Sequence, residues 1–282
     1  MTIFEAILLG IIQGLTEFLP ISSTGHLTIA GKLLGLVSEE RPEQWTAFIA
    51  VIQIGTLIAV LIYFWKDLLN ITISFTKENL LNRQKYRDQS FDSRMGWNII
   101  IGSLPVIFIG LFFKDFIEGS FTKNLYVIAS SLIILGIILG WAEKVGKFNR
   151  SLKDIKIRDT LIIGFAQAMA LIPGSSRSGT TITAGLFLGL KRETAARYSF
   201  LLGVPAIFGS GLYELISVFP NLSNDDIINL IVATIMSAIS GYLSIKFLLH
   251  FLKTRTTLVF IVYRVLLGIA IFILIGSHIL TP

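Results

Sequence analysis

The sequence predicts an all-α integral membrane protein made of two inverted-topology repeats, each a re-entrant helical hairpin followed by three transmembrane helices. Three observations lead there. Of the 282 residues 53% are hydrophobic and only 15% charged, a balance that a water-exposed surface of this size cannot carry without associating. Six apolar runs are long enough to cross a bilayer, and two more are broken in the middle by Pro, Ser and Gly. The two broken runs resemble each other and each precedes three spans; three is odd, so the second copy must sit upside down relative to the first.

A hydrocarbon core of about 30 Å takes roughly 20 helical residues. The crossing runs lie near 45–65, 95–113, 124–142, 198–218, 227–246 and 257–278. The broken segments cover 2–37, around Pro20, Ser22, Ser23, Thr24 and Gly25, and 159–190, around Pro173, Gly174, Ser175, Ser176, Arg177, Ser178 and Gly179. Their second arms would rise only about 18 Å as helix, so both are expected to turn back inside the membrane. Unpaired backbone at that depth needs protein or a water-filled cavity around it, which predicts a polar cavity between the tips as the site. The first repeat then covers 1–142, a cytoplasmic linker 143–158 and the second repeat 159–282. Matching Gly10, Gln13 and Pro20 to Gly164, Gln167 and Pro173 requires a one-residue slip at the prolines.

Lys and Arg concentrate in the loops 66–94, 143–159 and 246–255, while 114–123 and 220–226 are poor in them. The basic loops should therefore be cytoplasmic and, after six crossings, both termini outside. A net charge of +6 would suit nucleic acid, but basic residues in short loops between apolar runs are explained by topology, so a lipid bilayer and no nucleic acid is the expected environment. Thiol chemistry is excluded by the absence of cysteine, and three histidines argue against a zinc cage. The first 19 residues lack a basic leader and carry Glu5 and Glu17, which reads as part of the fold and not as a cleavable signal.

Chemistry is expected at the two tips. Gln13 and Glu17 are four apart and share one face of a helix just before the first break. A carboxylate at membrane depth costs several kcal/mol, about what a bound cation or substrate would offset; a shallow glutamate at the outer interface is the plainer alternative. Ser22, Ser23 and Thr24 open the second arm, where hydroxyls ordinarily cap helices. His26 follows Ser23 by three, a spacing that can bring imidazole to a hydroxyl. Arg177 is the sharpest feature, because a guanidinium stays charged and calls for an anion, with phosphate the natural partner. Around it Ser175, Ser176, Ser178, Thr180 and Thr181 offer hydroxyl donors. Glu214 and Arg264 lie inside spans at different depths and are not expected to pair. A small-residue face, Gly136 to Gly140, suits a homodimer and intramolecular packing equally.

These residues carry a resemblance. Gln13, Glu17 and the run Phe18 to His26, with Pro173 to Thr181, resemble the two signatures of the undecaprenyl-diphosphate phosphatases of the bacitracin-resistance type, (E/Q)-x-x-x-E leading into F-L-P-x-S-S-T-G-H, and P-G-x-S-R-S-G-x-T. Weaker likenesses lie at Ile52-Gln53, Lys191 to Glu193 and Tyr263-Arg264. The resemblance implies a multi-pass bacterial inner-membrane enzyme, its site opening outward, that removes the terminal phosphate of a polyprenyl diphosphate carrier with a divalent cation, Mg2+ or Ca2+. It implies that Glu17 with Gln13 holds the cation and Arg177 clamps the diphosphate. Ser23 and His26 would supply nucleophile and proton transfer, with Ser22, Thr24, Ser175, Ser176, Ser178 and Thr181 as phosphate-binding hydroxyls. Position 13 is Gln where other members have Glu, one neutral oxygen in place of a carboxylate. The competing class is an inverted-repeat transporter or flippase of polyprenyl phosphate or another anion, since opposed broken hairpins also describe carriers; such a protein would need the binding groups alone.

Overall fold

The structure, a computed structural model, describes residues 1–38, 40, 42–221 and 223–281. The Thr2 hydroxyl accepts from the Glu5 N–H while the Glu5 carboxylate accepts from the Thr2 N–H, a reciprocal cap that satisfies donors left free at a helix start. It opens α1 (Ile3–Phe18), which ends just before Pro20, a residue that cannot continue a helix. There follow α2 (Ser23–Leu33), α3 (Pro42–Tyr63), α4 (Trp65–Phe75), α5 (Phe91–Phe112), α6 (Lys114–Glu118) and α7 (Leu125–Val145). After the linker come α8 (Ile157–Ala168), α9 (Arg177–Phe187), α10 (Arg192–Val218), α11 (Asn224–Leu252) and α12 (Leu258–Gly276).

Six of these, α3, α5, α7, α10, α11 and α12, are long and apolar enough to cross a membrane. They coincide with the six expected runs, and α10 and α11 continue past them, back to Arg192 and on to Leu252. The second arms α2 and α9 have 11 residues each, about 17 Å of helix, and cannot cross. The stretch after α3, expected as loop, is instead α4 continued by a π-helical turn, Thr76–Leu81. Asn79 holds it: its amide donates to Ser93 Oγ (3.0 Å), and its oxygen accepts from Gln89 Nε2 (2.8 Å) and Trp97 Nε1 (2.9 Å).

Lipid-facing positions on the spans are apolar and exposed, among them Ile62, Phe108, Ile137, Ile231 and Ile273. Between helices the packing is close because small residues permit it. A Cβ at Gly10 or Gly14 of α1 would overlap backbone or hydroxyl atoms of α11, and one at Gly164 of α8 would overlap Gly102 of α5. The Gly136–Gly140 face packs on Arg264 and Ile261 of α12 within the same chain.

Two groups of polar contacts lie at opposite ends of the long helices. Near the C-terminal ends of α10 and α12, Tyr213 accepts from Lys114, Thr281 O accepts from Lys32 Nζ (2.9 Å), and Met1 O accepts from Asn229 Nδ2 (2.7 Å). At their N-terminal ends Glu143 binds both Arg192 and Thr257 Oγ1 (2.7 Å), Asp67 pairs with Arg197 (2.6 Å), and Arg150 joins Asp159 to Leu188 O.

Candidate active site

Both hairpins break in the same way. Leu19 and Ile172 are extended, ending α1 and the short turn after α8. Ser22 (φ 74°) and Ser176 (φ 68°) then take the positive-φ backbone that L-residues avoid, and each accepts from the N–H three residues on, Gly25 (3.2 Å) and Gly179 (3.1 Å). Holding a serine there costs about 1–2 kcal/mol, and such strain concentrates at functional sites. Both second arms close at a positive-φ glycine, Gly35 and Gly189. The interval from Gln13 to Ser22 equals that from Gln167 to Ser176, so the slip inferred from the prolines is confined to the prolines and the helices on either side are in register.

The tips touch directly, where the sequence suggested a cavity between them. Nη2 of Arg177 donates to Oε1 of Glu17 at 3.0 Å, and Ser178 Oγ donates to Leu19 O at 3.0 Å. The two charged side chains keep only 11% and 5% of their exposure, so the pair is largely buried. Removing one partner of such a pair typically costs about 3–5 kcal/mol, since the other is left buried alone. Oε2 of Glu17 accepts from Ser23 Oγ (2.7 Å) and Gln13 Nε2 (3.0 Å). Gln13 is fully buried, and its Oε1 has no partner among the described residues.

Arg177 leans on α10, donating from Nη1 to Ser199 O (3.3 Å), and a Cβ at Gly203 would overlap that same nitrogen. Thr181 donates to Arg177 O (2.7 Å) and shares a hydrogen bond with Ser199 Oγ (2.6 Å). Ser176 and Ser178 hydroxyls lie 3.1 Å apart, Ser175 donates to Ile172 O, and Thr24 stands half-buried in the first turn of α2.

His26 is turned away from Ser23. Its Nδ1 lies 2.7 Å from Ser22 O and its Nε2 2.6 Å from the Tyr263 hydroxyl, with the two rings stacked at 5.6 Å. A carbonyl has no proton to give, so Nδ1 carries one, and in the neutral ring Nε2 accepts from Tyr263. The hydrogen-bond acceptor at Ser23 is therefore Glu17. Thus the structure brings Gln13, Glu17, Ser23 and Arg177 into one chain of contacts and turns His26 of α2 to Tyr263 of α12. Sequence reasoning passed over Ser199 and Gly203; a glycine inside a span was a signal only of close packing, without naming what approached it. Arg192 and Arg197 are engaged in ion pairs away from the tips.

Chemically, one carboxylate oxygen holds a hydroxyl while the other holds a guanidinium brought from the opposite hairpin. An incoming phosphate could take the guanidinium and present its phosphorus to the hydroxyl. For a divalent cation the chain offers one carboxylate and one unsatisfied amide oxygen; no cluster of three His, Cys, Asp or Glu exists among the described residues. That donor set fits a cation that arrives with phosphate oxygens completing its shell, the usual mode for magnesium.

A family model described as "Bacitracin resistance protein BacA" matches residues 6–270. The chain is similar to the undecaprenyl-diphosphatase of Syntrophobacter fumaroxidans, 57% identical over 99% of both chains. It is likewise similar to that of Chloroherpeton thalassium, 53% identical over 95% of both. The protein named undecaprenyl-diphosphatase 2 of Agrobacterium fabrum is 46% identical over 98% of this chain and 97% of its own.

Proposed function

Because the chain belongs to the bacitracin resistance protein BacA family, we propose that it is an integral membrane phosphatase that hydrolyses undecaprenyl diphosphate to undecaprenyl phosphate and inorganic phosphate. The observation that carries this reading is the ion pair between Glu17 and Arg177 with Ser23 Oγ 2.7 Å from the same carboxylate. Phosphoryl transfer asks the protein for charge neutralisation on the phosphoryl oxygens and an attacker placed in line with the leaving group.

In this scheme the terminal phosphate draws Arg177 from Glu17, which frees the carboxylate to receive the Ser23 proton. Ser23 Oγ bonds to the terminal phosphorus as the bridging P–O bond breaks, and the lipid monophosphate departs with the bond's electron pair. The proton taken up by Glu17 passes to the departing lipid monophosphate; water then attacks the phosphoserine, giving one proton to Glu17, which returns it to Ser23 Oγ as the Oγ–P bond breaks, and orthophosphate leaves. Glu17 and Gln13 Oε1 would hold a divalent cation, magnesium or calcium, which when bound supplies further neutralisation of the diphosphate. Ser175, Ser176, Ser178 and Thr181, with Ser22 and Thr24, would orient phosphate oxygens, and His26 would shuttle a proton at Nε2 towards the departing phosphate. A carrier of the same lipid would need the binding groups, but not a hydroxyl held on a carboxylate.

The test is phosphate release from a short prenyl diphosphate in detergent, with and without magnesium. Glu17→Ala and Arg177→Ala should each lose turnover by about 100- to 1,000-fold while remaining folded, in line with single electrostatic groups at such sites. Wild-type release by either variant rejects that residue's role.

We also propose the inverted arrangement, with both termini outside and the site opening outward from the inner membrane. Supporting it, Met1 is bound to the N-terminal end of α11 and the end of α2 to Thr281 beyond α12, while the start of α8 and the end of α9 are joined through Arg150 beside the linker. The chain holds no cysteine, so single cysteines at Thr2 and Lys153 can be probed with an impermeant maleimide. Thr2→Cys should react in intact cells and Lys153→Cys only after lysis; the reverse pattern overturns the orientation.

A further inference from the structure

The largest fully buried side chain among the described residues is a charged one, Arg264 of α12. An intramembrane arginine ordinarily meets a carboxylate or water. Arg264 makes no ion pair among the described residues; Glu17, the carboxylate at the tips, is engaged by Arg177. Its guanidinium is met by backbone carbonyls. Nε donates to Leu132 O (3.2 Å), Nη1 to Pro20 O (3.4 Å), and Nη2 to Ser131 O (3.4 Å), Gly174 O (3.4 Å) and Ser175 O (3.0 Å).

These five acceptors come from three separate segments: α7, the tip of the first hairpin and the tip of the second. Pro20, Gly174 and Ser175 are residues where helix is interrupted, so their carbonyls lack the regular partner a continuous helix would supply. One planar fork of five N–H groups meets all three segments at once, which a lysine's single ammonium cannot do. Room for it is made by glycine: a Cβ at Gly179 would press on Nη1, and one at Gly136 would lie 3.3 Å from Arg264 Cβ. The adjacent Tyr263 reaches the first hairpin as well, donating to His26.

We propose that Arg264 is a positioning residue for the phosphatase reaction: it ties both hairpin tips to α7 and so sets the separation at which Ser23 and Arg177 face a common phosphate. It also leaves the tip region with one positive charge beyond the balanced Glu17–Arg177 pair, a bias towards an anion. The positioning role rests on the proposed function, but the tie between the tips can be measured apart from it. Misplacement of reacting groups by about 1 Å costs on the order of 100-fold in rate, so the effect belongs in kcat more than in KM.

The experiment places spin labels at Leu15→Cys and Ile172→Cys, both exposed positions near the two tips of a cysteine-free chain, and measures their distance distribution by pulsed EPR alongside phosphate release. Arg264→Gln should broaden a single narrow distribution and lower kcat about 100- to 1,000-fold, with KM changed less than about 3-fold. Arg264→Lys keeps the charge and should restore neither the distribution nor more than about a tenth of the lost rate. Gly136→Ala, which leaves the arginine in place but presses on it, should broaden the distribution slightly and lower kcat a few-fold. It decides the matter if Arg264→Gln does not fold. Ser23→Ala serves as the control, inactive but with the wild-type distribution; an active Ser23→Ala with a broadened Arg264→Gln would refute the nucleophile and leave the tie standing. Wild-type kcat in Arg264→Lys, or an unchanged distribution in both Arg264→Gln and Gly136→Ala, overturns the proposal.

Discussion

The two hairpins have nearly the same backbone and opposite chemistry. Ser22 and Ser176 cap the second arms in the same positive-φ conformation, and Gly35 and Gly189 end them. Gln13 and Gln167 stand at matching places on the first arms, both fully buried. Two of the differences place charge and nucleophile. Where the first hairpin has Glu17 the second has Leu171, and where the first has Ser23 the second has Arg177. The consequence is visible in the glutamines: Gln13 donates to Glu17, whereas both amide atoms of Gln167 lack a partner among the described residues. Identical turns therefore supply only the frame. A carboxylate in one tip and a guanidinium in the other are each costly alone at membrane depth, and each is tolerable because the other hairpin brings its counterpart.

That comparison breaks first at Arg177. Arg177→Lys retains the charge but loses the planar fork that reaches Glu17 and Ser199 O together, so kcat/KM for phosphate release should fall about 100- to 1,000-fold. A value within about 3-fold of wild type would mean that a point charge suffices in the second tip. Next comes Gly203→Ala, which adds a methyl where Nη1 of Arg177 now lies. The flexible guanidinium must move, and a loss of about 10- to 100-fold is expected with little change in thermal unfolding. Full activity there would show that the leaning of Arg177 on α10 is dispensable. The smallest effect tests the shared frame. Ser22→Ala and Ser176→Ala each delete one cap and should each cost about 1 kcal/mol of stability, equal within roughly half of that, in a denaturant titration followed by helicity. Unequal losses would mean that the two caps, alike in geometry, carry different loads.

Much of this was legible along the chain. The six spans announced themselves because hydropathy is a property of contiguous residues, and the two breaks did so because Pro20 and Gly174 dictate backbone geometry wherever they fall. Glu17 and Arg177 stood out since an ionised group in an apolar segment demands a partner. The amphipathic stretch Trp65–Phe75 was harder: its charges marked it as a loop between spans, yet its apolar face packs and makes it helix. Tyr263, Ser199 and Gly203 carry no local oddity that names their partners.

The sequence by itself determined how many helices are long and apolar enough to cross, where the helices are broken and which ionisable groups fall in apolar segments, since all three follow from the cost of moving each side chain or unpaired peptide from water into lipid. Which group meets which was decided only by the tertiary structure. Ser23 rests on Glu17 while His26 rests on Tyr263, and Arg264 is held by carbonyls from three segments far apart in the chain. Hydrogen bonds form over about 3 Å and in fixed directions, so they depend on how helices pack, and no pattern of neighbouring residues encodes that.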